Sequence, residues 1–217
     1  MSPLFDECLE QREEVAYFMR RLYKQGLTTC SGGNISVRYK QYVLITPSGL
    51  DKGELRGEQI AVLTMNGENI TPELKTSIET EMHLMVLEAR PDVHAVVHAH
   101  PVTATSFTAM KREIDCRLTA EAYAVLGTPK FAPYALMGTR KLAEIVAECI
   151  KESDVVTMEN HGILTVGPTL LKAFDRLEVL EAAAKMTWIT HTMQCPSPLT
   201  SPLTKDMLEE MDAQFRR

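Results

Sequence analysis

The stretch VVTMENHGILTV, residues 155–166, reads as two short apolar strands folded over Glu159-Asn160-His161-Gly162. SGGNISVRYKQYVLITPSG, residues 31–49, has the same character: a glycine-rich turn, an extended hairpin with Tyr42, Val43, Leu44 and Ile45, and a second turn at Pro47-Ser48-Gly49. Between these hairpins lie a strand from Ile60 to Met65, closed by Asn66-Gly67, and a helix that starts near Thr76 or Ser77. That helix runs through Met82, Leu84, Met85 and Leu87 to Arg90, where Pro91 follows, and the strand VHAVVHAH comes next at 93–100. Residues 5–25 space Phe5, Cys8, Leu9, Val15, Phe18, Met19 and Leu22 helically, with Gly26 as the stop. Further helices are expected at 119–127, at 139–151, from Leu170 to Met193 and at 205–214, the last after a proline-rich linker, PSPLTSPL. Strands and helices alternate without a strict βαβ rhythm, which predicts an α/β sandwich on a mixed or antiparallel sheet rather than a doubly wound parallel one.

The 217 residues suffice for one domain over 1–217, and 45% hydrophobic with 24% charged residues is the composition of an ordinary globular protein. A net charge of −6 supplies no basic field for nucleic acid or an anionic membrane, and no stretch approaches a membrane span. The opening MSPLFDECLEQREE lacks the basic and apolar blocks of a secretory signal. Cysteines at 8, 30, 116, 149 and 195 are scattered and form no CxxC pair, which argues against disulfides and points to a reducing cytoplasm.

Alternation along the strand sends His98 and His100 to one face with their backbones roughly 7 Å apart, close enough to converge on one ion. His94 shares that parity but lies about 13 Å from His98, so it reads as a surface or supporting residue. A catalytic zinc site uses three protein ligands, and His161 in its turn is the best third one, aimed inward by the conformational freedom of Gly162. His83 and His191 fall inside predicted helices and compete less well. Alone, such an HxH also fits a solvated strand face. Glu79 admits two readings: partner of an N-cap Thr76 in a capping box, or an acid/base group beside the metal. Ser31-Gly32-Gly33-Asn34, with Ser48-Gly49 and Thr76-Ser77, offers amides and hydroxyls for an anion near a helix N-terminus, or simply turns of small residues.

Taken together, SGGNIS (31–36), ITPSG (45–49), KTSIETEMH (75–83), AVVHAHP (95–101), APYALMGTR (132–140) and ENHGIL (159–164) resemble the class II aldolase/adducin family, in the family's order and across most of the chain. The match is nearest to its L-fuculose-1-phosphate aldolases. The resemblance implies a three-layer α/β/α sandwich around a mostly antiparallel sheet, assembled as a homotetramer with active sites at subunit interfaces. It implies one Zn2+ per subunit on His98, His100 and His161, with Glu79 as the catalytic carboxylate that also approaches the metal. Ser31, Gly33, Asn34, Ser48, Gly49 and Ser77 match the phosphate positions of a phosphorylated ketose. The implied reaction is reversible cleavage of L-fuculose 1-phosphate to dihydroxyacetone phosphate and L-lactaldehyde.

Two departures stand out. Ile78 replaces the second of two serines, and the C-terminal MLEEMDAQFRR lacks the tyrosine that related aldolases use, leaving Tyr123 as the nearest candidate for the aldehyde-side acid. Alternative activities are an L-ribulose-5-phosphate 4-epimerase, which has aspartate at the Glu79 position, a decarboxylase or dehydratase, and a non-enzymatic adducin-like interaction module, which lacks the metal site.

Overall fold

In the computed structural model, which describes residues 7–193 and 203–215, the upstream hairpin forms as β1 (Asn34–Tyr39) and β2 (Tyr42–Ile45). Ser36 pairs with Ile45 and Tyr39 with Tyr42 across it. Strand β3 (Ala61–Thr64) adds to β2, and β4 (Ala95–Ala99) adds antiparallel to the other edge of β1, setting Asn34 opposite His98. The downstream hairpin is β6 (Val155–Met158) and β7 (Gly162–Gly167), with β7 antiparallel to β4. A short β5 (Lys130–Ala132) pairs parallel to β6 and completes a seven-stranded sheet in the order β3-β2-β1-β4-β7-β6-β5. The sheet is therefore antiparallel except at one edge, as expected.

Alternation along the strands feeds two apolar layers, one on each face. Ile35, Val97 and Ile163 pack with α1 (Leu9–Lys24), α3 (Val102–Met110), α4 (Ala120–Leu126) and α6 (Leu170–Met193), among them Met19, Leu22, Phe107 and Phe174. Val96, Val156 and Leu164 face the other way, onto α2 (Thr80–Ala89) and α5 (Arg140–Cys149), where Val86, Leu142 and Val146 are buried. This is the three-layer α/β/α arrangement. A short α7 (Lys205–Phe215) follows. The expected linker at 196–203 and Cys195 fall outside the described residues except for Leu203, and the four described cysteines are free.

Gly26 ends α1 as expected, with φ +69, while Leu27 and Gly26 donate their amides back to the carbonyls of Leu22 and Tyr23 in a Schellman closure. Helix α2 departs from expectation, starting at Thr80 rather than near Thr76. Thr76 is instead bridged to Pro47, and Ser48 donates its amide to the Lys75 carbonyl, so this segment is tied to the turn that follows β2 and cannot coil. Helix α3 was not anticipated, because VTATSFTAM is rich in β-branched residues of low helix propensity. It is held from outside: the buried Glu181 carboxylate on α6 accepts the Thr103 and Ala104 amides at the helix start.

Candidate active site

Strand β4 carries His98 on the face packed by α2, and His100 follows one residue past its end. The turn between β6 and β7 brings His161 against both. Ring centroids lie 4.7 Å apart for His98 and His100, 4.9 Å for His98 and His161 and 5.7 Å for His100 and His161. One nitrogen from each ring falls within 4.8 Å of the others. The Glu79 carboxylate closes the cluster, with Oε1 3.0 Å from His161 Nε2 and Oε2 3.3 Å from His98 Nε2. His94 and His191 are exposed and take no part, whereas His83 is fully buried nearby.

The donor set fits a divalent cation. The His98 Nδ1–H donates to the Ile163 carbonyl at 2.9 Å, which leaves Nε2 with a bare lone pair. That Nε2, and Oε1 of Glu79, are buried without a hydrogen-bond partner. Burial pushes the His98 imidazole down, and burial with the neighbouring imidazoles pushes His100 down to about 3. Burial alone would raise the Glu79 carboxyl, but His98, His161 and a hydrogen bond from Asn34 outweigh it and hold it below the ordinary carboxylate range. Neutral imidazoles beside an anionic carboxylate are the protonation states a metal requires of its ligands.

Gly162 matters here for a reason other than the one expected. The left-handed residue in the turn is Asn160, with φ +52, not Gly162. A Cβ on Gly162 would lie 2.6 Å from Cδ2 of His100, 2.7 Å from the Ala99 carbonyl oxygen and 3.2 Å from Cε1 of His98. The glycine is thus a floor on which two imidazoles rest. Gly33, with φ +66, is pressed as closely onto the His98 carbonyl, and it turns the chain from the Ser31-Gly32 loop into β1.

Glu79 is not part of a capping box: its side chain makes no cap bond and turns into the cluster, with Asn34 Nδ2 donating to Oε2 at 2.8 Å. The same amide group donates to Ser77 Oγ at 3.1 Å. With both amide hydrogens of Asn34 so directed, its Oδ1 must accept, and the donor is Nε2 of His83. His83 Nδ1 then accepts the Ser36 hydroxyl at 2.7 Å. A buried chain of one polarity therefore runs from Ser36 through His83 and Asn34 to Glu79. Burial pushes His83 down to about 3, which keeps it in the neutral form this chain needs. The sequence reading missed His83 in this role, although its spacing from Glu79, one helical turn, was a usable signal. The Asn34 side chain is thereby committed to Glu79 and Ser77 rather than left free for an anion.

A cleft of about 430 Å³ opens beside the cluster. Ser31, Gly33, Asn34, Ser48 and Ser77 line it together with Glu79, His100 and His161, so the metal and phosphate candidates do come together. Gly49, at φ +76, shapes the adjoining turn without lining the cleft. Ile78 lines it too, in the phosphate segment where it was expected, whereas Lys52, Met137 and Asn160 line it and were not anticipated as site residues. Tyr123 is not among the residues that line this cleft: it lines a separate depression with Cys116 and His191, and its hydroxyl donates to Asp212 of α7 at 2.9 Å.

The fold is an α/β sandwich whose three imidazoles could hold a metal ion, and comparison with known proteins makes the class specific. Residues 13–188 match the family model described as Class II Aldolase and Adducin N-terminal domain. An L-fuculose phosphate aldolase of Methanococcus maripaludis is 36% identical over 175 residues, covering 81% of this chain and 94% of the relative. A 5-deoxy-D-ribulose 1-phosphate aldolase of Bacillus thuringiensis is 31% identical over 208 residues, 95% of each chain. A solved L-fuculose 1-phosphate aldolase superposes with a TM-score of 0.83 at 31% identity, covering 95% of this chain and 96% of that one. The chain belongs to the class II aldolase/adducin family, and within it to the enzymes: it is an aldolase, a lyase. Among the described residues no helix is long and apolar enough to cross a membrane.

Proposed function

We propose that this chain is a zinc-dependent aldolase of ketose 1-phosphates, cleaving L-fuculose 1-phosphate reversibly to dihydroxyacetone phosphate and L-lactaldehyde. The observation that carries the reading is Glu79, an anionic carboxylate buried against three imidazoles and opening onto a cleft lined by Ser31, Ser48 and Ser77. His98, His100 and His161, with Glu79 beside them, would hold the cation. A divalent ion there supplies Lewis acidity, stabilising the negative charge that develops on the ketose oxygens as the C3–C4 bond breaks. Glu79 takes up the proton released as the C4 hydroxyl becomes the aldehyde carbonyl and delivers it to C3 of the enediolate; in synthesis the anionic carboxylate removes that proton from C3. Asn34, fixed by His83, orients the carboxylate for this transfer. Ser31, Gly33, Ser48 and Ser77 form the phosphate side, with Asn34 behind them and Gly49 shaping the turn that presents Ser48. The exposed Trp188, Ile189 and Met193 on α6 suit subunit contact, and we place the active form as a homotetramer.

The ketose phosphates in the two relatives' names differ in the aldehyde they release. Removing dihydroxyacetone phosphate from 5-deoxy-D-ribulose 1-phosphate leaves a two-carbon aldehyde, one carbon shorter than lactaldehyde. Purified metal-loaded protein assayed for dihydroxyacetone phosphate release from both ketoses decides between them. L-Ribulose 5-phosphate serves as the third arm, since epimerisation there without any triose product would overturn the aldolase reading.

A further inference from the structure

Lys52 is 2% exposed and lines the cleft beside the Ser31–Asn34 turn and Ser48. It is the sole lysine or arginine lining the cleft among the described residues, and it forms no ion pair there. Its Nζ donates to the Pro47 carbonyl, and its backbone amide donates to the Cys30 carbonyl at 2.8 Å, so both walls of the donor-rich end grip it. Pro47 itself is bridged to Thr76, next to Ser77. An ammonium held out of water against a single carbonyl is costly, and burial accordingly pushes its pKa down to about 8. Such a charge is retained where a ligand completes it. The carboxylate that lines the cleft, Glu79, is engaged instead by Asn34, His98 and His161.

We propose that Lys52 is the charge partner of the substrate's phosphate group, supplying the single formal positive charge in a cradle otherwise made of hydroxyls and backbone amides. This rests on the phosphate reading above and adds to it the residue that sets specificity for a phosphorylated over a free ketose. A phosphate dianion at Ser48 and Ser77 replaces the hydration that Lys52 lost on folding, and Lys52 stands ready in the correct place without reorganising.

The test uses metal-loaded protein and inorganic phosphate as a competitive inhibitor against a ketose 1-phosphate. Lys52→Met keeps the volume and removes the charge, and Lys52→Arg keeps the charge. Loss of a charged hydrogen bond predicts a rise of about 10- to 100-fold in the phosphate inhibition constant for Lys52→Met. Lys52→Arg should stay within about fivefold of the parent, and free dihydroxyacetone should inhibit all three proteins alike. In phosphate-free buffer Lys52→Met should melt at or above the parent temperature, because it removes an uncompensated buried charge. A structural prop to Pro47 would lower melting temperature and phosphate affinity together, in Lys52→Arg as well, and that result overturns the proposal. If the parent favours the ketose 1-phosphate over the free ketose and Lys52→Met does so equally, Lys52 loses this role and the phosphate reading stands. If the parent shows no such preference, the phosphate reading fails and Lys52's role with it.

Discussion

Replacing Gly162 by alanine adds one methyl group, and the structure says where it goes. The new Cβ would sit 2.6 Å from Cδ2 of His100 and 2.7 Å from the carbonyl oxygen of Ala99. Relaxed carbon contacts lie near about 3.5–4.0 Å, so close to 1 Å of space must be found. The Ala99 carbonyl cannot yield freely, because Ala99 pairs with Ile163 in the β4–β7 ladder. The imidazole of His100 therefore moves, and His98, whose Cε1 would be 3.2 Å away, is pressed as well. Overpacking of this kind costs about 1–3 kcal/mol, and with backbone on one side the upper half of that range is expected. For a chain of this size that is a fall of about 4–12 °C in melting temperature. The metal consequence is larger, since two of the three imidazoles proposed to hold the ion lose their positions, and affinity should fall at least about tenfold. Gly26→Ala is the comparison: its φ of +69 strains an alanine, but nothing lies within 4 Å of the new Cβ. It should cost about 1–2 kcal/mol and leave metal stoichiometry at the parent level. Zinc titration against a chelating dye, with thermal melts of both variants, reads the two effects. A Gly162→Ala protein that binds zinc with parental affinity and melts within 2 °C of the parent, taking ~2 °C as the resolution of such a shift, refutes the steric account.

Glu79→Gln preserves length and an oxygen acceptor but cannot exchange a proton, so the variant should fold yet lose solvent-proton exchange into dihydroxyacetone phosphate by about two orders of magnitude or more; exchange at the parent rate in zinc-loaded protein removes Glu79 as the base. His83→Phe strands Asn34 Oδ1 and the Ser36 hydroxyl in the interior, at about 1–3 kcal/mol each, and frees Asn34 to swing off Glu79. Urea unfolding should show that loss, with kcat falling more than KM changes, and an unaltered kcat would disprove the relay. Lys52 has its folded pKa lowered from 10.5 to about 8, so between those values the unfolded chain binds the extra proton and stability rises with pH. In phosphate-free buffer the parent should gain roughly 3 kcal/mol relative to Lys52→Met across that window, and parallel stability profiles would show that Lys52 is not desolvated.

The fold was legible wherever apolar pattern and turn chemistry agreed. Both hairpins, the Gly26 stop and the long helix from Leu170 follow from local signals that tertiary structure did not overrule. What escaped was set at a distance. Helix α3 exists against its own propensities because Glu181, 77 residues away from Ala104, accepts its first amides. Strand β5 is three residues long and is defined by its parallel partner, not by its own composition. The start of α2 was displaced to Thr80 because Lys75 and Thr76 are engaged by Ser48 and Pro47.

The site divides along the same line. His98 and His100 could be paired from strand parity alone, and Asn34 lies opposite His98 only because β1 and β4 adopt one particular register. Burial is what the sequence could not display, and burial decides the remaining roles. Lys52, in the turn sequence SGLDKGEL, has the local composition of a solvated surface charge, yet it is 2% exposed. His83 reads as one more polar position on a helix, yet it is fully enclosed and its two nitrogens are both occupied. Each becomes informative only when its surroundings remove water, because a solvated imidazole or ammonium has no preferred partner while a buried one must have a specific one. For His83 that partner is visible as Asn34. For Lys52 a lone carbonyl is visible, and the chemistry of an ammonium requires an anion beyond it.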